Sequence, residues 1–275
     1  MNADLYLRQG DTHAVCQDYA EARLTERGLT LAVCDGCSSS PMTDIGARLL
    51  ARAALGNVHR CGGLDDIEAF AASTIDRAAA SARLMELPLQ CLDSTLIVVD
   101  IDDDHGRAAM FGDGALAVGN VDGSVRVWSV DYTSNAPDYL SYRLDLARRA
   151  AYADLVDGSE CVIRRLEWGG KRALMSTTEP LTSGPLVLDI DEPIRWIAAM
   201  TDGVKSFTRP VQSTSTKGRE PVDEVDVLTD VLDFVNVNGK FVERQVRWFA
   251  AECEKRGWKH SDDLGIAAIS FDREP

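Results

Sequence analysis

Five aspartates stand where a carboxylate could hold a metal ion. Three are followed by glycine and lie within or at the end of an apolar run: Leu31-Ala32-Val33-Cys34-Asp35-Gly36, Phe111-Gly112-Asp113-Gly114 and Ala198-Ala199-Met200-Thr201-Asp202-Gly203. Asp18 stands near the end of the run 13–20, and Asp262 precedes the apolar run 264–271. An apolar run bounded by turn residues is the pattern of a buried strand, so each side chain is expected at the rim of a rigid core. Taken singly, such a carboxylate is ordinarily a turn residue or a solvated one. Five at one rim would repel each other and would persist only where cations neutralise them. Oxygen donors point to hard ions, Mg²⁺ or Mn²⁺. The chain has only four histidines, which argues against a zinc or di-iron histidine site.

Other motifs carry less. Cys34 and Cys37 have C-x-x-C spacing, and a redox pair is one reading; small side chains packing at a strand end is the favoured one. The run 100–106 superficially resembles a calcium loop, but its glycine is one position late and Phe111 stands where a bidentate glutamate belongs. It reads as a hairpin turn. There is no phosphate-binding loop, dinucleotide fingerprint or nucleophile elbow. Ser38, Ser39 and Ser40 read as caps of a following helix.

Strands are expected at 3–8, 13–20 and 29–34, with a turn at Glu26-Arg27-Gly28. Pro41 suits a first helical turn, and Met42, Ile45, Leu49 and Ala53 continue a helix to about residue 59. Cys61-Gly62-Gly63 breaks it, and Ile67, Phe70, Ala71, Thr74, Ile75, Ala78, Ala82 and Met85 mark one face of a second helix. From Ser94 the period changes to that of a meander, with strands at 94–101, 107–119 and 124–130 joined by turn-rich 102–106 and 120–123. Residues 139–155 read as a helix, and 161–168 with 172–177 as a hairpin across Gly169-Gly170. Polar loops are expected at 178–184 and 208–221. A strand at 194–200, helices at 222–235 and 241–256, and a strand at 264–271 complete the series. The order is α+β, with two helix pairs packed on antiparallel sheets.

The 275 residues show no linker composition and no repeat, so one domain over 1–275 is expected, with 131–185 as its most variable part. A net charge of −15 argues against nucleic acid or an anionic membrane as partner, yet allows an anionic substrate once divalent cations are bound. Seven scattered cysteines and a polar opening favour a reduced, cytoplasmic setting, and no run is long enough for a membrane span.

Val33-Cys34-Asp35-Gly36, Phe111-Gly112-Asp113-Gly114, Met200-Thr201-Asp202-Gly203 and Ser261-Asp262-Asp263-Leu264, in this order and at this spacing, resemble the metal-dependent protein phosphatases of the 2C type. Gln17-Asp18 and Asp93-Ser94-Thr95 resemble that family's first acidic motif and its Gly-Ser-Thr strand start. The resemblance spans about residues 10–271. It implies a β-sandwich of two antiparallel sheets flanked on both outer faces by pairs of α-helices. It further implies two Mn²⁺ or Mg²⁺ ions bridged by Asp35, with the Gly36 carbonyl on one and Asp202 and Asp262 completing the other. Asp18 would hold a water at the metal, and Asp113, with Asp202, a looser third ion. His13 stands where the family often has a phosphate-binding arginine; it would bind phosphate or protonate the leaving oxygen, and a hydrogen-bonded strand histidine is the alternative. Gln17, Asp93, Asp263, Gly265 and Cys37 with the following serines depart from the commoner pattern and resemble the shorter bacterial branch.

The function implied is hydrolysis of phosphoserine or phosphothreonine in proteins, a signalling role opposing a partner kinase. The alternatives are a catalytically silent homologue that binds phosphoproteins or regulates a partner, and a phosphatase of small molecules, with a flap-like segment 131–185 deciding between substrates.

Overall fold

The computed structural model describes residues 1–25, 28–58, 60, 62–102, 106–157, 159–169, 173–182, 184–190, 193–211 and 218–271. Of the expected turns and ends, Glu26-Arg27, residue 59, Cys61, residues 103–105, Gly170 and the middle of 208–221 lie outside the described residues. In chain order the elements are β1 (Asn2–Arg8), β2 (Tyr19–Leu24), β3 (Gly28–Cys34), α1 (Thr43–Val58), α2 (Ile67–Leu84), β4 (Leu96–Asp102), β5 (Gly106–Phe111), β6 (Gly114–Asn120) and β7 (Ser124–Tyr132). There follow α3 (Leu146–Leu155), β8 (Cys161–Gly169), β9 (Ala173–Pro180), β10 (Leu186–Ile190), β11 (Ile194–Met200), β12 (Phe207–Pro210), β13 (Arg219–Pro221), α4 (Glu224–Val231), α5 (Phe241–Arg256), β14 (Lys259–His260) and β15 (Leu264–Ser270). Three short 3₁₀ turns, Leu89–Leu92, Leu140–Leu144 and Asp202–Lys205, join them.

Among the described residues, one sheet runs β1-β15-β11-β6-β7-β8-β9 and a second β10-β5-β4-β3-β2, with every pairing antiparallel. The two stack through one apolar layer. Leu31 and Val33 of β3 and Ile97 and Val99 of β4 share it with Leu116 of β6, Ile197 of β11 and Ala267 and Ile269 of β15. Each large aliphatic side chain buried there contributes about 1.5–3 kcal/mol. Alternate residues point outward: Ala32, Cys34, Leu96 and Val98 pack on α1 and α2, and Trp196, Ala198, Met200 and Ile266 on α4 and α5. The central strands are covered on both faces, which is why they read as unbroken apolar runs. The α+β sandwich with a helix pair on each outer face is the architecture the sequence leads one to expect.

Several boundaries differ. Of the run 13–20 only Tyr19 and Ala20 are in a strand; β2 begins at Tyr19, and His13 and Asp18 lie in the loop before it. The run 107–119 is two strands, broken at Gly112-Asp113, where the chain leaves one sheet and enters the other. Gly112 adopts φ +88°, a left-handed conformation that lets the chain turn between sheets. Residues 178–180 belong to β9, residues 186–190 form an unexpected edge strand, and parts of the loop 208–221 pair as β12 and β13 in a small sheet with β14. The 178–180 end of β9 and the strands β12 and β13 are short and mostly polar; β10 is short but apolar, with Leu186, Leu188 and Ile190 on the layer between the sheets. Residues 139–155 split into a 3₁₀ turn and α3 because Asp145 caps α3, accepting from the Ala147 and Arg148 amides. No described helix is long and apolar enough to cross a membrane.

α1 and α2 approach closely because their facing residues are small: Ala47, Ala51, Ala54, Ala71, Ala78 and Ala82 are buried. Buried Asn57 bonds the Phe70 carbonyl at 3.2 Å, Thr74 Oγ1 at 3.1 Å and Ser73 Oγ at 3.0 Å, which satisfies the polar group in that interface. At Gly46 of α1 a Cβ would fall 1.6 Å from the Cys91 carbonyl oxygen, whereas at Gly56 the nearest atom is Arg77 Nη2 at 3.8 Å. Gly46→Ala should therefore destabilise the protein by about 1–3 kcal/mol through overpacking. Gly56→Ala should stabilise it by up to about 1 kcal/mol through helix propensity. Urea unfolding of the two variants checks the opposite signs.

Candidate metal centre

All five expected aspartates arrive at one end of the sandwich, delivered by both sheets. Asp35 follows β3, and its backbone is held on both sides. Its amide donates to Thr95 Oγ1 at 3.1 Å, and its carbonyl accepts from the Thr95 amide at 2.9 Å and Ser94 Oγ at 2.6 Å. Gly36 forms an isolated antiparallel bridge with Ser94. Asp113 occupies the crossover between sheets. Asp202 opens the 3₁₀ turn after β11, and Gly203 presses on the last strand's approach, where a Cβ would lie 1.8 Å from the Asp263 carbonyl oxygen. Only glycine allows the β11 turn and the Asp262-Asp263 pair to come so close.

Asp18 is almost wholly buried, and Thr201 secures it. Thr201 Oγ1 donates to Asp18 Oδ2 at 2.7 Å and accepts from the Gly265 amide at 2.9 Å. The hydroxyl thus links the loop before β2 to the ends of β11 and β15. Asp262 is half exposed, while the next side chain, Asp263, is buried and turned inward to the N-terminal loop. Asp263 accepts from the Gly10 amide at 2.8 Å and the Gln17 amide at 2.6 Å. His13 lies between the pair, with Nδ1 3.0 Å from Asp263 Oδ2 and Nε2 3.5 Å from Asp262 Oδ1.

The electrostatics follow from this crowding. Burial, and then the charges of Asp263, Asp202 and Asp262, push the Asp18 carboxyl well above its ordinary value, against the Thr201 hydrogen bond. Burial and the charges of Asp18, Asp202 and Asp113 do the same to Asp35, which also shares a hydrogen bond with Asp202. Burial and Asp202 raise Asp113 to about 7, with Lys205 opposing. Burial and Asp202 raise Asp262 as well. Asp202 therefore acts on each of the other four. Among the described residues, His13 beside Asp262 and Lys205 beside Asp113 are basic side chains that oppose these shifts, and Lys205 is engaged by Asp131. The His13 pKa is raised, first by its contact with Asp263 and against burial.

This donor set is all oxygen and short of positive charge, which fits divalent hard ions and not zinc. Among the described residues no group of three or more His, Cys, Asp or Glu side chains is placed to hold a metal ion together. Asp35, Asp202, Asp262 and Asp113 are the carboxylates that could hold divalent ions, with the Gly36 carbonyl. Cys34 and Cys37 are free thiols, Cys34 fully buried against the helices and Cys37 hydrogen-bonded to Ser39 at 3.1 Å. Ser40 does not cap α1; its hydroxyl donates to Asp93 Oδ2 at 2.7 Å.

Thr201 and Asp263 are the site residues that sequence reasoning missed as participants. The signal for Asp263 is the doubled Asp262-Asp263: successive residues entering a strand point to opposite sides, so one of the two had to face inward. Thr201 has no local signal, since its partner lies far along the chain.

Residues 9–242 match the family model described as Protein phosphatase 2C. A comparison with curated protein sequences finds no match. Among solved structures the chain is similar to the serine/threonine phosphatase Stp1 from Staphylococcus aureus, with TM-score 0.54 and 9% identity over 98% of this chain and 95% of that one. It is similar to PppA, a regulatory component of the T6SS in Pseudomonas aeruginosa, with TM-score 0.53 and 14% identity over 98% and 97%. It is also similar to the catalytic domain of the serine/threonine protein phosphatase PstP in complex with two manganese ions, with TM-score 0.51 and 14% identity over 98% of each chain. At these identities the likeness is one of fold.

Asp113 gives a pH test of the crowding. A carboxyl raised to about 7 contributes stability that is complete below the ordinary aspartate range and lost as pH rises through about 7. In chelator-treated protein, the Tm of wild type relative to Asp113→Asn should fall between about pH 4 and about pH 8, and millimolar Mn²⁺ should remove most of that fall. A Tm difference independent of pH would refute the assignment.

Proposed function

Since the chain belongs to the protein phosphatase 2C family, we propose that it is a metal-dependent phosphatase of phosphoserine and phosphothreonine in proteins. The observation that carries this reading is the convergence of Asp18, Asp35, Asp113 and Asp262 on Asp202, each repelled by it and each at least partly buried. A scaffold has no use for such repulsion, which costs stability unless cations answer it. The neighbouring structure with two manganese ions supports divalent ions in this fold.

When bound, the ions would lower the pKa of a water and offset charge on the phosphoryl oxygens. The residues of this chain would do the rest. Asp35 would help hold the ions, and its clamped backbone keeps the Gly36 carbonyl in place. Asp202 and Asp262 would complete one ion, and Asp113 with Asp202 a looser third. Asp18, fixed by Thr201, would accept a hydrogen bond from the attacking water and orient it in line with phosphorus. As the water oxygen bonds to phosphorus, the bond to the serine or threonine oxygen breaks, and that oxygen takes up a proton. His13, held by Asp263 and raised in pKa, is assigned to bind the phosphate or give that proton. A kinase acting on the same residues would be the opposing partner.

Hydrolysis of an aryl phosphate and of phosphopeptides should require Mn²⁺ or Mg²⁺ and stop with chelator. Asp202→Asn should lower turnover at least about a hundredfold, in line with losses at metal-site residues. Clean metal-loaded protein that hydrolyses neither substrate would sink the reading.

A further inference from the structure

One basic side chain is set into the acidic rim and has no part in the mechanism so far. Lys205 closes the 3₁₀ turn that Asp202 opens. In such a turn residues three apart eclipse, so the Asp202 and Lys205 side chains leave the backbone on the same side. The Lys205 side chain is 25% exposed, and its Nζ donates to Asp131 Oδ1 and lies 3.5 Å from the Val130 carbonyl oxygen. Val130 is the register partner of Gly114, the residue that follows Asp113. The ammonium is thereby held beside the start of β6, next to the crossover that carries Asp113.

The groups around it keep it charged. Burial lowers the Lys205 pKa, and the charges of Asp131, Glu224 and Asp202 more than reverse that. Glu224 has its own partners: Ser129 Oγ donates to it at 2.8 Å and Arg164 Nη1 pairs with it at 2.7 Å. Lys205 is therefore an ammonium at neutral pH, facing Asp131 on one side and the rim on the other. Its charge acts in turn on Asp113, where it outweighs the opposing charge of Asp131. Asp113 and Asp202 are the two carboxylates assigned to the looser ion. A fixed ammonium and a divalent ion compete for the same negative charge.

The plainer role for the Lys205–Asp131 pair is to pin the 202–205 turn to β7. That role would show in stability and leave ion binding untouched, so the two are separable.

We propose that Lys205 is a built-in counter-cation of the Asp113–Asp202 pair, which supplies one positive charge at these carboxylates and so weakens the binding of a divalent ion there relative to the rest of the rim. The inference rests on reading the rim as a divalent-ion site and is independent of the substrate. Lys205 touches no reacting atom in this role; it sets how readily the Asp113 end of the rim takes an ion.

Titration of metal-free protein with Mn²⁺, with the free ion measured by room-temperature EPR, tests this without recourse to turnover. Wild type should show a tight and a weak class of bound ion. Lys205→Met should tighten the weak class about tenfold and change the tight class less than about threefold, because a unit charge leaves one end of a partly buried site. Lys205→Arg keeps the charge and should stay within about threefold of wild type in both classes. Adding Asp113→Asn to Lys205→Met should remove the gain, which ties it to Asp113. Lys205→Met with Asp131→Asn should keep most of the gain, since Asp131 is then unable to act as a new ligand. If the single variant leaves Asp131 unpaired and fails to fold, this double variant is read in its place. An unchanged weak class, equal tightening of both classes, or a gain lost with Asp131→Asn would overturn the proposal; a lowered Tm with unchanged binding would leave Lys205 as a structural pin only. If wild type binds no Mn²⁺, the divalent-ion reading of the native rim falls. An Asp113-dependent ion in Lys205→Met would then still uphold the counter-cation, and no ion there would end it.

Discussion

Carboxylates that repel one another are held together here by an apolar layer that cannot let them part. Leu31, Val33, Ile97, Val99, Ile197 and Ala267 lock the two sheets at one spacing and register. The strand ends carrying Asp35 and Asp202, the crossover carrying Asp113 and the loops carrying Asp18 and Asp262 are thereby fixed at a common rim. Moving Asp35 or Asp202 away would mean moving a strand whose large core side chains are each worth about 1.5–3 kcal/mol of burial. The repulsion is tolerated because the core is larger.

Within that rim the neutral hydrogen-bonding groups do the fine placement. Thr201 bridges Asp18 to the Gly265 amide, and Ser94 and Thr95 grip the backbone of Asp35. Asp263 spends its two oxygens on the Gly10 and Gln17 amides and so ties the loop before β2 to the start of β15. These contacts add no positive charge. They orient the carboxylates while leaving their charge for a cation, which is what a preorganised ion site needs.

The same logic operates once more at Asp93, with the opposite outcome. There a buried carboxylate is matched within the chain by the Arg148 guanidinium and the Ser40 and Ser141 hydroxyls, so it needs no external ion. One cluster is electrically complete and structural; the other is incomplete and suited to ligands. The two share the loop 37–40 and the strand start 93–95.

Much of this was legible in the chain. The apolar runs, the Asp-Gly endings and the helix periodicities of 67–84 and 241–256 are local patterns, and locally repeating burial leaves a locally repeating sequence. They were enough for the α+β sandwich and for all five aspartates. Other features had no local trace. His13 was read on a strand, and the break at Gly112-Asp113 was read through as one strand, because only the second sheet reveals that the chain changes partners there. Strands β12 and β13 are too short to show a period, and β10, although Leu186, Leu188 and Ile190 face the layer between the sheets, spans only five residues. Thr201 meets Asp18 across 183 positions, and Arg148 meets Asp93 across 55. A hydrogen bond between distant residues constrains each end to be polar and nothing more, so many positions fit equally well in sequence. The residue types that can hold a divalent ion were therefore set by the sequence alone. Which loops would be drawn to them, and which carboxylates would find their counter-charge inside the protein, was decided by the packing of the two sheets.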